Sequence, residues 1–525
     1  MLEFSEDMCA VEEFGAAPTY SVDAMAPYTS ATYNGDKFDD SFGDTKLYDL
    51  DYWTLRARSN QLFTENLYAA GLIKRLVTNE INKGLAPEAY PDADILGIDS
   101  DGAEEWAGSV ERRFQMWGRD KRVCDYRGEH TFGALQRIAR AEALIAGDVL
   151  VVLRQNKNTS APSIQLISGS SVQTPLDDAR DIVHGVERDS AGRVVAYWVQ
   201  QEMLDYARIP AYGGDGRRLA WLVFGTQRRL DHERGVPLLS LALQPLKEQD
   251  RYRDSVQRKA TLNSYLAMFI KKNQDKPASL SMTNGATRKG AVTTPDAEGQ
   301  PRSFQAAKYM PGLILEELQA GEEPQGFKSD GTDLAYGEFE KTIISAVAWA
   351  NEVPPEILTL AFSNNYSASQ AAINEFKIYL EKFWSEWGDG FCAPIYEDWL
   401  CSEVQGGSIK APGLLAARSD ISQYYTYGAW TQAEWYGVIK PSTDMFKQAR
   451  GSSLLLGLGL TTHAKEAKNL TGTKFSANAR KLARENKELA DALRPLAEFK
   501  QEFGAIGEQL IEAHNGATEP EAIND

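Results

Sequence analysis

The 525-residue chain is short of the residues that most often carry catalysis or metal binding: it has 5 His and 4 Cys. The histidines (His130, His184, His232, His463, His514) are too scattered along the sequence to suggest a metal cluster. The cysteines are Cys9, Cys124, Cys392 and Cys401. The nearest two are nine residues apart, which fits neither a zinc spacing nor the disulfide framework of a small secreted domain. Reduced thiols are the expected state. Long apolar runs are also absent. The longest, residues 454–460, falls far short of the roughly 20 residues a membrane helix needs, so no membrane partner is expected. No basic stretch followed by an apolar one opens the sequence, so no signal peptide is expected.

Excess positive charge is missing too. Lys and Arg number 56 against 74 Asp and Glu, a net charge of −18. That argues against a general nucleic-acid coat, which needs surplus bases to neutralise phosphates. The charge is unevenly spread. Residues 1–52 hold twelve acids and two bases, a net of −10. Lacking a sustained period of 2 or 3.6, this segment reads as an acidic, mostly extended arm. Residues 247–308 run the other way, with twelve bases and six acids. Arg251, Arg258, Lys259, Lys271, Lys272, Lys276, Arg288 and Lys289 are the candidates there for meeting a polyanion or an acidic partner.

Catalytic motifs are lacking as well. Gly285-Ala-Thr-Arg-Lys-Gly290 has the wrong order for a phosphate loop, and Gly472-Thr-Lys474 lacks the first glycine. No strand runs into a GxGxxG that opens a helix. His232-Glu233 starts like a zinc-protease motif, but position 236 is Val. The turns at Gly169-Ser-Ser171 and Gly451-Ser-Ser453 do not match GxSxG. Acid pairs such as Asp99/Asp101 and Asp177/Asp178 are what any acidic chain offers. No enzyme activity, metal or cofactor is expected.

What the chain does have is architecture, including 11 Trp, 22 Tyr and 20 Phe to anchor cores or interfaces. Helical spacing begins at Trp53, with further helices expected over 103–118 and 131–147. The run Asp148-Val-Leu-Val-Val-Leu-Arg-Gln155 reads as a buried strand, followed by strands at 163–168, 184–189, 194–201 and 219–224. Residues 189–192 carry hairpin-turn chemistry between two of them. Residues 53–236 thus form a mixed α/β block. From Pro237 to Lys272 the sequence is glycine-free and predicts one long helix. Residues 273–332 are rich in glycine and proline and read as loops. A helix follows from 334 to 352 and stops at Pro354-Pro355; residues 359–367 read as a loop with a serine cap. The next helix, 368–387, carries an aromatic stripe, relaxes at Gly388 and Gly390, and resumes to about 402. The tail from Ser476 predicts an amphipathic helix broken at Pro495.

This order of features resembles the portal proteins of lambda-like tailed phages. Six elements carry the resemblance over about residues 53–470. They are Arg137-x-x-Arg140 leading to Gly147-Asp148 and a strand; Gln165-Leu-Ile and the hairpin from His184 to Tyr197; and Arg234-Gly-Val-Pro237 ahead of a long helix. The remaining three are Gly312 to Glu322; the helix to Pro354 with Asn365-Tyr-Ser-Ala-Ser369; and Gly459-Leu-Thr-Thr462. The chain departs from the family pattern at Thr226–Glu233, Gln370, Lys440–Asp444 and near Gly472.

The resemblance implies an α+β portal fold with a mixed α/β wing, a helical stem, a small clip and an α-helical crown. On this sequence the parts map to an arm (1–52), wing (53–236), stem helix (237–272), clip (273–332) and returning stem helix (333–353). A tunnel loop (354–368), the second part of the wing (369–470) and a crown and tail (471–525) complete the map. The resemblance implies a dodecameric ring at one capsid vertex of the virion, assembled in the host cytoplasm. Double-stranded DNA would enter and leave through it. Its implied partners are terminase, major capsid and scaffold proteins, and head-completion or tail connector proteins. Ser363, Asn364, Asn365, Tyr366 and Ser367 become the candidates for touching DNA in the channel. The other classes open to the sequence are a carboxylate-dependent hydrolase of glycosidase or lysin type, and a different virion structural protein.

Overall fold

The computed structural model describes residues 46–156, 161–175, 182–202, 205–226, 232–265, 269–272, 291–295, 301–305, 322–325, 336–359, 366–437, 445–473 and 475–515. The chain divides into two compact units, Met1–Tyr436 and Gly437–Asp525.

The first unit begins with helices α1 (Lys46–Glu65) and α2 (Leu67–Glu80). Residues 46–52 are therefore helical and not part of an extended arm. Asn66 separates the two helices and caps α2, its side chain accepting from Ala69 N at 2.8 Å. Strand β1 (Ala86–Ala89), α3 (Ala93–Leu96), α4 (Ser100–Arg119), α5 (Lys121–Cys124) and α6 (Phe132–Ala146) follow. Buried side chains recur on α6 at Leu135, Ala139 and Ala143, the helical spacing read from the sequence.

Two small antiparallel sheets come next. β2 (Asp148–Gln155) is central in the first, between β3 (Pro162–Ser168) and β8 (Ala220–Phe224). The second is a meander of β4 (Ile182–Val183), β5 (Val186–Arg188), β6 (Val194–Glu202) and β7 (Asp205–Pro210). Leu150, Val152 and Leu222 of the first pack with Val186, Tyr197, Val199 and Ile209 of the second in one core. Residues 148–153 are all buried, as an unbroken apolar run demands. In the β5–β6 turn, Asp189 Oδ1 accepts from Ala191 N at 2.9 Å and Arg193 N at 2.8 Å. β7 lies where the sequence suggested no strand.

After a 3₁₀ turn at Leu238–Ala242, helix α7 spans Leu243–Tyr265. The long helix expected to reach Lys272 ends earlier, and Phe269–Lys272 forms strand β9. Its register sets Glu322 opposite Lys272 and Glu323 opposite Lys271 on β12 (Glu322–Gln325). Phe269-Ile270 favours strand, and paired positions of opposite sign fit it. β10 (Ala291–Pro295) and β11 (Pro301–Gln305) pair in the segment read as loops. Helices α8 (Tyr336–Ala350) and α9 (Pro355–Thr359) lead to α10 (Tyr366–Trp387). A π-helical turn at Gly388–Cys392 joins it to α11 (Ala393–Gln405). Glycine is required at 388, because a Cβ there would sit 2.7 Å from the Trp435 ring. The aromatic stripe of α10 is core, with Phe376, Phe383, Trp384 and Trp387 all buried. α12 (Leu414–Ser419), α13 (Tyr424–Thr431) and β13 (Ala433–Tyr436) close the unit, β13 pairing with β1. Phe114 packs within about 6 Å of Phe132, Tyr396, Trp399 and Trp435, knitting α4, α6, α11 and β13 together.

The second unit holds α14 (Met445–Gly457), α15 (His463–Thr471) and α16 (Phe475–Asn515). α16 continues through Pro495 and is interrupted instead at Gly504, φ +53°, ψ −133°. A proline forfeits one backbone hydrogen bond, whereas a glycine can leave helical dihedrals altogether.

Candidate functional site

The sequence-predicted candidates fall on three kinds of ground. Ser363, Asn364, Asn365, Lys276, Arg288 and Lys289 lie outside the described residues. Tyr366 and Ser367 are the first two residues of α10 rather than loop. Lys271 and Lys272 sit on strand β9 and not on a stem helix. Arg251, Arg258 and Lys259 lie on α7.

α7 is built with two faces. Leu246 and Gln249 are buried and Tyr252 meets the Phe339 ring of α8 at 5.0 Å. Asn66 Nδ2 donates to Asp250 Oδ2 at 2.5 Å, fastening the helix to the α1–α2 corner. On that side Arg253 also pairs with Asp250, at 2.9 Å. The exposed side carries Lys247, Glu248, Arg251, Asp254 and Arg258. Bases and acids thus alternate on it. Arg251 and Arg258 are seven residues apart, so they share one stripe about 10 Å apart along the axis. Lys259 is half-buried.

The structure brings together a different set of charged residues, deep in the first unit. Arg234, of the Arg-Gly-Val-Pro segment, is fully buried. It forks onto Asp148, with Nε to Oδ2 and Nη2 to Oδ1 both at 2.8 Å. It also donates to the carbonyls of Gly169 (2.6 Å), Val172 (2.9 Å) and His184 (2.8 Å). Asp148 receives a second guanidinium, Arg56, at 3.2 Å, and the Gly235 amide at 2.9 Å. Tyr52 completes the cluster, its ring 5.0 Å below the Arg234 guanidinium. Burial works against the Asp148 charge, but Arg234 and Arg56 outweigh it and hold the carboxyl below its usual range. Burial raises the Tyr52 phenol well above its ordinary value. One carboxylate between two guanidinia leaves a surplus positive charge, which the carbonyl dipoles absorb.

A second cluster anchors α10. Arg140 forks onto Glu80 at 2.6 and 2.8 Å and donates to Gly225 O at 2.7 Å. Tyr379 donates to the same carboxylate, and Trp384 Nε1 to Glu80 O at 2.8 Å. The Arg140 guanidinium also stacks 4.6 Å over Phe383. A third links Asp398 to Arg217 and Arg418, both at 2.7 Å.

These clusters were missed as sites by sequence reasoning, although Arg140, Asp148 and Arg234 all lie in the segments that carried the resemblance. No spacing rule marks a lone Arg or Asp as a buried partner of another element. Chemically the clusters are closed, with each carboxylate forked by arginines. An open cleft lined by Arg119, Lys121, Glu129 and His130 holds Asp120, already bound by Arg122 at 2.7 Å. Among the described residues no three His, Cys, Asp or Glu side chains converge to hold a metal, and no helix is long and apolar enough to cross a membrane.

A mixed α+β body, held by buried charge clusters and carrying a helix with one charged, exposed side, is the fold that comparison with known proteins places. The sequence profile of the phage portal proteins of the lambda family matches residues 40–383, and the chain belongs to that family. Portal protein B of Escherichia phage lambda is 20% identical over 426 residues, 78% of this chain and 79% of that protein. The portal protein of Escherichia phage N15 is 21% identical over 427 residues, with the same coverage. Among solved structures, a chain of the virion of a native gene transfer agent particle gives a TM-score of 0.41 at 12% identity, covering 79% of this chain and 92% of that one. A chain from the neck of that particle computed with C12 symmetry gives 0.35 at 14% identity, covering 75% and 98%.

Proposed function

We propose that twelve copies of this chain form a ring at one capsid vertex, the conduit through which double-stranded DNA enters during packaging and leaves during ejection. The family match across residues 40–383 carries this reading. In it, 53–236 and 369–470 build the wing, α7 and α8 the stem, 273–332 the clip, and 471–525 the crown. The clip would dock terminase and then the head-completion or tail connector proteins, while major capsid and scaffold proteins would hold the rim. Assembly would take place in the host cytoplasm.

Rotational symmetry turns every side chain into a ring of like charge. A wall made mainly of bases would grip DNA, since about six to ten phosphate contacts already bind it tightly. The exposed side of α7 supports a conduit that lets DNA slide: rings from Arg251 and Arg258 would alternate with rings from Glu248 and Asp254. The uncharged stretch Ser363–Ser367 suits backbone contact without retention. Hydrolysis would belong to terminase, and the chain itself would not be an enzyme.

Electron microscopy of the purified chain tests the assembly. Twelve 58.2-kDa chains give particles of about 700 kDa with a central hole end-on. Compact monomers at every concentration would sink the reading, as would steady ATP turnover by the pure protein.

A further inference from the structure

We propose that the face formed by α3, α12 and α13 is a docking surface for a basic, apolar segment of another protein. Six large apolar side chains are exposed on these short helices and the residues beside them: Tyr90, Ile95, Leu415, Ile421, Tyr424 and Tyr425. Ile421 is 90% exposed and Tyr424 and Tyr425 are 57% and 62% exposed, the two rings lying 4.0 Å apart.

The elements carrying them are packed on one another. Tyr90 N bonds to Gln432 O at 3.2 Å and Asp92 N to Ala429 O at 3.0 Å. Residues 90–92 therefore lie against the C-terminal end of α13, and α3 follows directly from them. Single exposed apolar residues are ordinary, but a cluster of this kind marks an interaction site. Tyrosines are suited to it, because their rings offer large contact area and stack under guanidinium groups.

The charge around the patch is mainly acidic and favours a basic partner: Arg418 on α12 is taken up by Asp398 at 2.7 Å, and Lys410, beside Trp106, is an exposed base there. Residues 92–105 carry six acids (Asp92, Asp94, Asp99, Asp101, Glu104, Glu105) and no base, and all but the capping Asp92 are exposed. Asp420 adds a seventh acid immediately before Ile421. A surface of this sign repels DNA and also the chain's own N-terminal segment, which is itself acidic. The basic start of α16 is an in-chain candidate among the described residues, as is α7, whose exposed bases alternate with acids. Bases of α16 already pair within the helix, Arg484 with Glu488 at 3.5 Å and Arg494 with Asp491 at 3.6 Å. The complementary occupant is a foreign segment whose Lys or Arg side chains flank Leu or aromatic anchors.

The test uses full-length protein and two dye-labelled peptides of equal positive charge, an amphipathic helix of Leu and Arg and an oligolysine, read by fluorescence anisotropy. The Leu/Arg peptide should bind at least ten-fold more tightly than oligolysine. The Ile421→Ser/Tyr424→Ser/Tyr425→Ser variant should weaken it at least ten-fold. The Asp99→Asn/Asp101→Asn/Glu105→Gln variant should weaken it and flatten its salt dependence. All six positions are exposed, and circular dichroism of each variant should match the parent. Equal binding of the two peptides, or unchanged binding by either variant, overturns the proposal. Sedimentation of the unliganded proteins distinguishes the remaining occupant: if the serine variant lowers the oligomeric state, a second copy covers this face and the proposal is wrong. The readout is peptide binding, so its outcome is independent of whether the chain forms a ring.

Discussion

Replacing Arg234 with alanine is the most exacting test of the buried charge cluster. The side chain has no exposed surface and makes five bonds to Asp148 and three carbonyls. Breaking a buried ion pair by removing one partner costs about 3–5 kcal/mol. Each buried carbonyl left without a donor adds about 1–3 kcal/mol unless water enters the vacated space. Arg56 still faces Asp148 and returns part of the loss. The net expectation is a destabilisation of at least about 4 kcal/mol, a large share of the usual 5–15 kcal/mol of a folded domain. Urea unfolding followed by tryptophan fluorescence reads it, since Trp53 lies on α1 beside Tyr52 of the cluster. Lysine should not rescue, because an ammonium cannot fork onto the carboxylate and reach three carbonyls at once. In a double-mutant cycle with Asp148→Ala, the second substitution should cost far less than it does alone. The acid side follows from the depressed carboxyl of Asp148. A carboxyl lowered in the fold contributes stability that is present above its unfolded value, near pH 4. That contribution fades as pH falls through the folded value. The parent protein should therefore lose stability below about pH 4 more steeply than the Arg234→Ala variant. A shift under about 1 kcal/mol, or full rescue by lysine, would refute the assignment of the cluster as a structural pin.

Further outcomes follow from the same reasoning. Tyr379→Phe removes one donor from the buried Glu80 carboxylate and should cost about 1.5–3 kcal/mol by urea unfolding. Gly133→Ala would set a Cβ 2.2 Å from Lys83 O and force the turn after α2 away from α6, which should lower stability by about 1–3 kcal/mol. Burial pushes the Cys124 thiol up to about 12 and raises Cys392 well above its ordinary value. Iodoacetamide at pH 8 should therefore label both in urea and neither in buffer, as read by mass spectrometry. Arg251→Ala, on the exposed side of α7, should leave stability within about 0.5 kcal/mol of the parent.

Much of the architecture was legible from periodicity alone. The strand at Asp148, the hairpin turn at 189–192 and the aromatic stripe of α10 each repeat a local signal that the fold obeys, because one face of each element has to be covered. The family was legible too, from six short segments in order. Other features needed a partner distant in sequence. Ala86–Ala89 and Ala433–Tyr436 have no alternation, and each is a strand only because the other lies beside it. Lys271 and Lys272 left the expected helix for a strand set by Glu322–Gln325. Arg234 and Arg140 lie in segments that carried the resemblance, but nothing beside them in sequence marks them as buried. Burial against Asp148 and Glu80, dozens of residues away, made them pins of the core.

The sequence by itself determined the long helices and the apolar strands, the uneven charge and the family, because these follow from nearest neighbours along the chain and from composition. Tertiary structure alone decided which charges are sealed inside. It also decided which bases and acids share the outer side of α7, and where an acidic, tyrosine-bearing face stands open. Burial and pairing depend on elements meeting in space, and no local spacing encodes that meeting.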